Sequence, residues 1–164
     1  MTTIKRLLTA GFLSTVLVST VGALESADLG APCSPYIIGD KGPGGGRVYY
    51  IDDSGCHGLE AQLVDAASGV RMNWSTAIIT AAAYNLPACA RDAQLTPSCW
   101  HLPSKTELQY LYNQKTVMGG FANSPYWSST GFIVKYAWTQ FFNFGGQNIN
   151  NKNNALLVRA VRAF

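Results

Sequence analysis

The chain has 164 residues, of which 12 are Lys or Arg and 9 are Asp or Glu, so its formal net charge is +3. This length is sufficient for one domain with a hydrophobic core. The small net charge argues against a nucleic-acid-binding protein, because such proteins usually carry a strongly basic face.

The first residues have the pattern of a secretory signal peptide. Lys5 and Arg6 form a positively charged start, and the run 7–24 is mainly apolar and ends in small side chains near Ala23. We predict that residues 1–23 are removed on export to the periplasm, the cell surface or the medium, leaving no membrane span. A retained membrane anchor is the alternative, but a spanning helix prefers about 20 strongly apolar residues. Gly, Ser and Thr residues interrupt this run.

The exported part is nearly neutral but unevenly charged. Without Lys5 and Arg6, ten basic and nine acidic side chains remain. The segment from Leu108 to Phe164 has no acidic residue, and its basic residues are Lys115, Lys135, Lys152, Arg159 and Arg162. Two interpretations stay open: a mildly basic surface for an anionic ligand, or arginines that are structural.

All four cysteines lie in the exported part. An even number of cysteines in an oxidising compartment favours disulfides. Of the three pairings, we prefer Cys89 with Cys99, and therefore Cys33 with Cys56. A zinc site with His57 and His101 is the alternative, but the C-x2-C spacing typical of zinc sites is missing, so we predict no metal.

The exported chain is predicted to begin with an irregular entry segment, 24–35. A single domain is predicted to follow and to cover 36–164. The glycine run 42–46 resembles a phosphate loop, but it lacks the following Lys-Ser or Lys-Thr and precedes a strand-like run. We therefore expect a tight turn with positive φ before that strand. The run 58–64 predicts a second strand.

Two helices are predicted next. The first covers 73–85, with Asn73 or Ser75 as its N-cap. In the second, Ser104 and Glu107 have the spacing of a capping box, which gives Glu107 a structural role. The apolar face of this helix consists of Leu108, Leu111 and Tyr112.

The last part of the chain predicts short strands. These are "YWSST" (126–130), "AWTQFFNF" (137–144) and "LLVRAVRAF" (156–164), the last with a suspected bulge. The polar run 147–154 is predicted to be a connecting loop. Strands, two helices and further strands in this order indicate an α+β fold.

The catalytic arrangements that we considered find little support in the sequence. His57 and His101 are the only histidines, and neither lies near a nucleophile-elbow sequence. We interpret both as structural or surface residues. Paired carboxylates for glycoside hydrolysis stay open, although nothing in the sequence singles them out.

Several ordered motifs together resemble one bacterial family. The motifs are "GPGGGRVYYIDDSGCHGLEA", "WHLPSKTEL", "YWSST", "AWTQFF" and "VRAVRAF". They are similar to the C-terminal domain of the Legionella collagen-like adhesin. The resemblance covers about 36–164 and implies a C-type-lectin-like fold, in which two helices flank a small twisted antiparallel sheet and the first and last strands are adjacent. It also implies that Trp127 is a core residue, with Trp100 and Trp138 as packing partners.

The function implied by this resemblance is binding of sulfated polysaccharides and attachment to surfaces. Calcium-dependent sugar binding needs hard oxygen ligands, commonly carboxylates, and the run 147–154 has none. The motif "WHLPSKTELQY" also resembles formylglycine-generating enzymes, but their copper-binding cysteines would have to follow Cys99, and no cysteine does. We therefore expect a non-catalytic binding module without a cofactor.

The predicted ligand-binding surface contains two lysines and the amides of the polar run. The amides can donate to and accept from sugar hydroxyls, and the lysines attract sulfate or carboxylate. Arg159 and Arg162 are alternatively held in salt bridges to Asp52, Asp53 or Glu60. We expect an acidic or sulfated glycan as partner, or else an envelope protein. The predicted binding residues are Lys135, Gln147, Asn148, Asn150, Lys152, Asn153 and Asn154.

Overall fold

The computed structural model describes residues 34–84 and 99–164. The predicted signal peptide, Cys33 and Cys89 lie outside these ranges. The described part is an α+β fold with two antiparallel sheets of three strands each. Its strands are β1 Arg47–Ile51, β2 Gly58–Ala61, β3 Pro125–Ile133, β4 Tyr136–Phe141, β5 Gln147–Asn151 and β6 Val161–Ala163. Its helices are α1 Trp74–Ala82, α2 Lys105–Asn113 and α3 Lys115–Met118, with a 3-10 turn at Ala66–Gly69.

The first sheet joins the two ends of the domain. Its strand order is β1-β2-β6, so the last strand pairs with the hairpin that begins the domain. Leu59 lies opposite Ala163, and Glu60 lies opposite Arg162. The first and last strands thus share one sheet, but β2 lies between them, so the expectation that they are adjacent is wrong. The predicted last strand 156–164 is regular only in β6; Leu156 and Leu157 make isolated bridges to other segments.

The second sheet has the order β3-β4-β5. The expectation of a single sheet is wrong, because the chain divides its strands between two hydrogen-bonded groups. The run 147–154 is also not simply a loop. Residues Gln147–Asn151 form β5, which pairs with β4 along its whole length, and only the turn after Asn151 is irregular. Asparagine is rare in strands, but here the edge of β4 supplies backbone partners for the polar run.

Both predicted helices begin at their predicted caps. The Asn73 side chain accepts a hydrogen bond from the Thr76 backbone N–H, at 2.9 Å. At α2, Ser104 Oγ accepts from the Glu107 N–H at 3.2 Å, while the Glu107 carboxylate accepts from the Ser104 N–H at 2.7 Å. The capping box is confirmed. Helix α1 ends at Ala82, earlier than predicted, and α3 was not predicted.

Trp127 is a core residue, as predicted. Its side chain is fully buried, and its indole Nε1 donates to the Met72 carbonyl at 2.9 Å. Trp100 belongs to the same apolar cluster. Trp138 does not, so it is not the predicted packing partner: Trp127 pairs with Thr139, and Trp138, the residue before it in β4, points to the opposite face. There Trp138 contacts Phe132, with ring centres 5.9 Å apart.

The glycine run 42–46 wraps around a buried carboxylate. Gly45 has a φ of 85°, which confirms the predicted turn. The backbone N–H groups of Gly44 and Gly46 each donate to the Glu60 carboxylate at 2.7 Å. Arg162 Nε lies 3.2 Å from the same carboxylate. The loop therefore binds an anion, as a phosphate loop would, but the anion belongs to the protein itself.

Candidate functional site

A groove lies where three elements meet: the start of α1, the β3–β4 turn and the end of β5. It has a volume of about 390 Å³, which is within the range of small-molecule sites, ~300–1,000 Å³. Two lysines, two amides and a hydroxyl line it, and none of its described lining residues is acidic. The lining residues are Ser75, Val134, Lys135, Asn151, Lys152 and Asn153.

Lys152 is held in place by its surroundings. Its Nζ lies 4.1 Å from the centre of the Trp74 ring, a cation–π geometry. Its backbone N–H donates to the Lys135 carbonyl at 2.9 Å, and its carbonyl accepts from the Trp74 N–H at 3.0 Å. Trp74 is itself fixed, because its indole Nε1 donates to the Ser128 carbonyl at 2.8 Å. The Lys152 ammonium therefore has a defined position at the groove.

Lys135 and Asn153 are exposed on either side of Lys152. Lys135 occupies the two-residue turn between β3 and β4. The Asn153 backbone N–H donates to the Asn151 side chain at 3.0 Å, which forms the tight turn after β5. Three of the predicted binding residues, Lys135, Lys152 and Asn153, are thus brought together in one groove.

The other predicted amides do not line this groove. The Gln147 side chain donates to the Lys105 carbonyl at 2.8 Å, so it ties β5 to the start of α2. Asn150 and Asn154 bond to each other at 3.0 Å, and Asn150 also donates to Thr139 Oγ1 at 3.3 Å. The Asn148 side chain accepts from the Ile149 N–H at 2.8 Å. Their place in the binding surface stays a prediction.

Arg159 and Arg162 are both held in salt bridges, as the alternative interpretation held, but the partner of Arg159 is not one of the three predicted acids. Arg159 is fully buried, and its guanidinium lies 2.7 Å from the Asp65 carboxylate. It also donates to the carbonyls of Gln62, Leu63 and Gly120. Arg162 pairs with Glu60. The basic side chains available to a ligand in this region are consequently lysines.

Sequence reasoning missed three lining residues of the groove, which are Ser75, Val134 and Asn151, and also the neighbouring Trp74. Asn151 was passed over within the polar run, and Ser75 was considered only as a helix cap. Trp74 was not considered, although its ring fixes the Lys152 ammonium. Their convergence depends on the packing of α1 beside the end of β5, and a local sequence pattern carries no signal of that contact.

A second depression, of about 320 Å³, lies beside the 3-10 turn. Ala67 and Ser68 in this turn have φ values of 48° and 55°, which non-glycine residues rarely adopt. Asp65 lines the depression, but its carboxylate is already bonded to Arg159 and to the Tyr126 hydroxyl. The charge of Asp65 is therefore neutralised. The charges of Lys135 and Lys152 in the first groove, called the lysine groove below, have no such partner among its lining residues.

His101 forms an ion pair with the capping-box carboxylate. His101 Nε2 lies 3.2 Å from Glu107, and Nδ1 lies 2.9 Å from the Cys99 carbonyl. Burial by itself lowers the pKa of His101, but these hydrogen bonds and the attraction of Glu107 outweigh it and raise the pKa above its ordinary value. Burial raises the pKa of Glu107, but the bonds from His101 and Ser104 outweigh it and lower that pKa.

The cysteines within the described ranges are not free thiols: Cys56 and Cys99 are both disulfide-bonded. Cys33 and Cys89 lie outside the described residues, so the preferred pairing stays a prediction. One contact favours it. The Tyr36 N–H donates to the Gly55 carbonyl at 2.9 Å, which places the chain three residues after Cys33 beside the residue before Cys56.

The described ranges hold neither a cluster of metal ligands nor a membrane-spanning helix. Residues 34–84 and 99–164 contain no group of three His, Cys, Asp or Glu side chains arranged to hold a metal ion. No helix in these ranges is both long and apolar enough to cross a bilayer.

Comparison with known proteins identifies the family. No curated protein matches the chain. The model of the Lcl C-terminal domain family matches residues 56–162, which is well over half of the chain and includes the three helices, the strands from β2 to β5 and most of β6. The match also contains the whole lysine groove. The chain therefore belongs to the Lcl C-terminal domain family, an adhesin-related module.

Proposed function

We propose that this chain is an exported, non-catalytic binding module that attaches to surfaces by recognising acidic or sulfated glycans. The domain would have the C-type-lectin-like fold that the family resemblance implies. It would bind its ligand without calcium. The observation that carries the proposal is the pair of lysines in one groove. Lys135 and Lys152 are joined by a backbone hydrogen bond and share the groove with amide and hydroxyl groups.

The chemistry of the groove suits a sulfated or uronic sugar. Two ammonium groups attract a sulfate or carboxylate, and the side chains of Asn151, Asn153 and Ser75 can donate to and accept from ring hydroxyls. Trp74 fixes the Lys152 ammonium, so less side-chain entropy is lost when an anion binds. These features support a charge-based mode of recognition in which no metal bridges protein and sugar.

Binding to a sulfated polysaccharide tests this proposal. We expect the protein to bind immobilised heparin, and Lys135→Glu to weaken the affinity about tenfold, because it reverses a charge at the groove. Lys135 is exposed, so the melting temperature should not change. Added salt should weaken binding further, since the Debye length at physiological ionic strength is ~8 Å.

Lys41→Glu is the matched control. It makes the same charge change at an exposed position in the loop before β1, outside the groove. Equal losses in both variants would mean that only net charge matters and would contradict a specific site. Absence of heparin binding at low salt would contradict the proposal itself. In that case, recovery of one envelope protein by the immobilised domain would support the protein-binding alternative.

A further inference from the structure

The hairpin between β3 and β4 ends in an exposed apolar tip. Phe132, Ile133 and Val134 are consecutive, and 52%, 57% and 90% of their surfaces are exposed. Earlier in the same strand Trp127 and Ser128 are fully buried, so β3 leaves the core before it reaches the tip. Scattered exposed apolar residues are common, but a contiguous group marks an interaction site.

The backbone of the tip is fixed on both sides. Ile133 pairs with Tyr136, which leaves Val134 and Lys135 as a two-residue turn. The Lys135 carbonyl in turn accepts from the Lys152 N–H at the end of β5. The tip is therefore presented by a paired hairpin that needs little ordering when it binds.

Positive charge surrounds the base of the tip. Lys135 directly follows Val134, and a Cβ atom built on Gly131 would lie 3.8 Å from Lys152 Nζ. One lysine thus follows the apolar residues in the turn, and the ammonium group of the other lies beside the strand that leads to them. The whole stretch from Leu108 to Phe164 contains no Asp or Glu, so the chain in this stretch supplies no carboxylate to neutralise them.

We propose that this tip inserts into the interfacial region of an anionic lipid bilayer. Apolar side chains enter the boundary between headgroups and acyl chains, while flanking lysines bind the anionic phosphates of the headgroups. The combination favours a lipid surface over a soluble glycan, which offers no apolar phase for Val134. It also favours a lipid surface over an apolar protein groove, which would not require the lysines. This role goes beyond glycan recognition, because it shares Lys135 and Lys152 with the glycan proposal but adds insertion of the apolar tip.

Vesicle cosedimentation tests the proposal. We expect the exported protein to bind vesicles of equimolar phosphatidylglycerol and phosphatidylcholine, and to bind pure phosphatidylcholine vesicles much more weakly. Val134→Asp should reduce binding to the anionic vesicles about tenfold, because it places a charge in the inserted region. Lys135→Gln should reduce it less, and only on anionic vesicles. All variants have the same N-terminal residues, so any contribution of these residues to vesicle binding is equal in every comparison between variants.

Val70→Asp is the matched control. Val70 is 61% exposed, and its neighbour Arg71 bonds to Ser124 just before β3, at the end of the sheet opposite the tip. This variant should bind vesicles as the wild type does. If Val134→Asp lowers the melting temperature, Val134→Ser provides the same comparison without an added charge.

Two outcomes would overturn the lipid proposal. The first is absence of binding to anionic vesicles, and the second is equal binding by the wild type and Val134→Asp. If the second is accompanied by loss of self-association of that variant in sedimentation velocity, the tip would be assigned to a second copy of the chain. The vesicles contain no sugar, so failure of the glycan proposal would leave this test unaffected.

Discussion

At the scale of single residues, Glu60 explains the glycine run 42–46, because the run binds the carboxylate of this buried side chain. Its carboxylate is fully buried, and it accepts from two N–H groups of the glycine run and pairs with Arg162. A side chain at Gly44 would collide with both Glu60 and Arg162. The glycines are therefore required for close approach of the loop to this carboxylate.

Replacing Glu60 tests the role of that carboxylate. Glu60→Gln keeps the shape but removes the charge and one acceptor, so a buried N–H loses its partner. We expect the free energy of unfolding to fall by about 2 kcal/mol, measured by urea titration. Asp53→Asn, a comparable change at an exposed acid in the β1–β2 turn, should stay within about 0.5 kcal/mol of the wild type. Similar values for the two variants would show that the loop does not depend on Glu60.

Residue-level prediction succeeded where local chemistry decides, as for the positive φ in the glycine turn at Gly45. The burial of Trp127 was implied by the family resemblance, and Glu60 was one of three acids considered as partners of Arg162. The partner of Arg159 was not predicted. Asp65 lies 94 positions earlier in the chain, and only the packing of the turn after β2 against the last segment brings the two side chains together.

At the scale of elements, α2 links its cap to a histidine. Glu107 accepts from the Ser104 N–H within the capping box and from His101 just before the helix. The cap was predictable because its residue types and spacing are local. The histidine contact was not, since both histidines were interpreted only as structural or surface residues. Strand β5 was missed because its asparagines have low strand propensity and its pairing depends on the neighbouring edge of β4.

The His101–Glu107 pair predicts a pH-dependent stability. The pKa of His101 is raised in the fold, so the charged imidazole stabilises the protein fully below its ordinary pKa of about 6.5. That contribution is lost as the pH rises through the raised pKa. The pKa of Glu107 is lowered, so its contribution is present above its ordinary pKa and is lost as the pH falls through the lowered one.

Melting temperatures across a pH series measure this effect. We expect the melting temperature of the wild type to fall as the pH rises from about 6 to about 8, and His101→Gln to remove most of that fall. His57→Gln serves as control because it removes the other histidine, at an exposed position in the β1–β2 turn. A His101→Gln profile that keeps the wild-type slope would assign the pH dependence to other groups.

At the scale of the whole molecule, the domain places its charges unevenly. Its arginines in the last segment neutralise internal carboxylates, whereas Lys135 and Lys152 line an external groove. The sequence predicted the α+β class and an anionic-ligand surface in this region. It did not predict the division into two sheets or the contribution of α1 to the groove, because both depend on long-range packing.

Binding to a glycan array at low salt, with and without calcium, tests the central claim most directly. Sulfated and uronic glycans should bind with equal strength in both conditions, because the groove recognises anions through lysines rather than through a metal ion. Lys135→Glu on the same array should lose these signals, while Lys41→Glu should keep them. Absence of every acidic glycan from the bound set, or binding of neutral sugars only when calcium is present, would contradict the account.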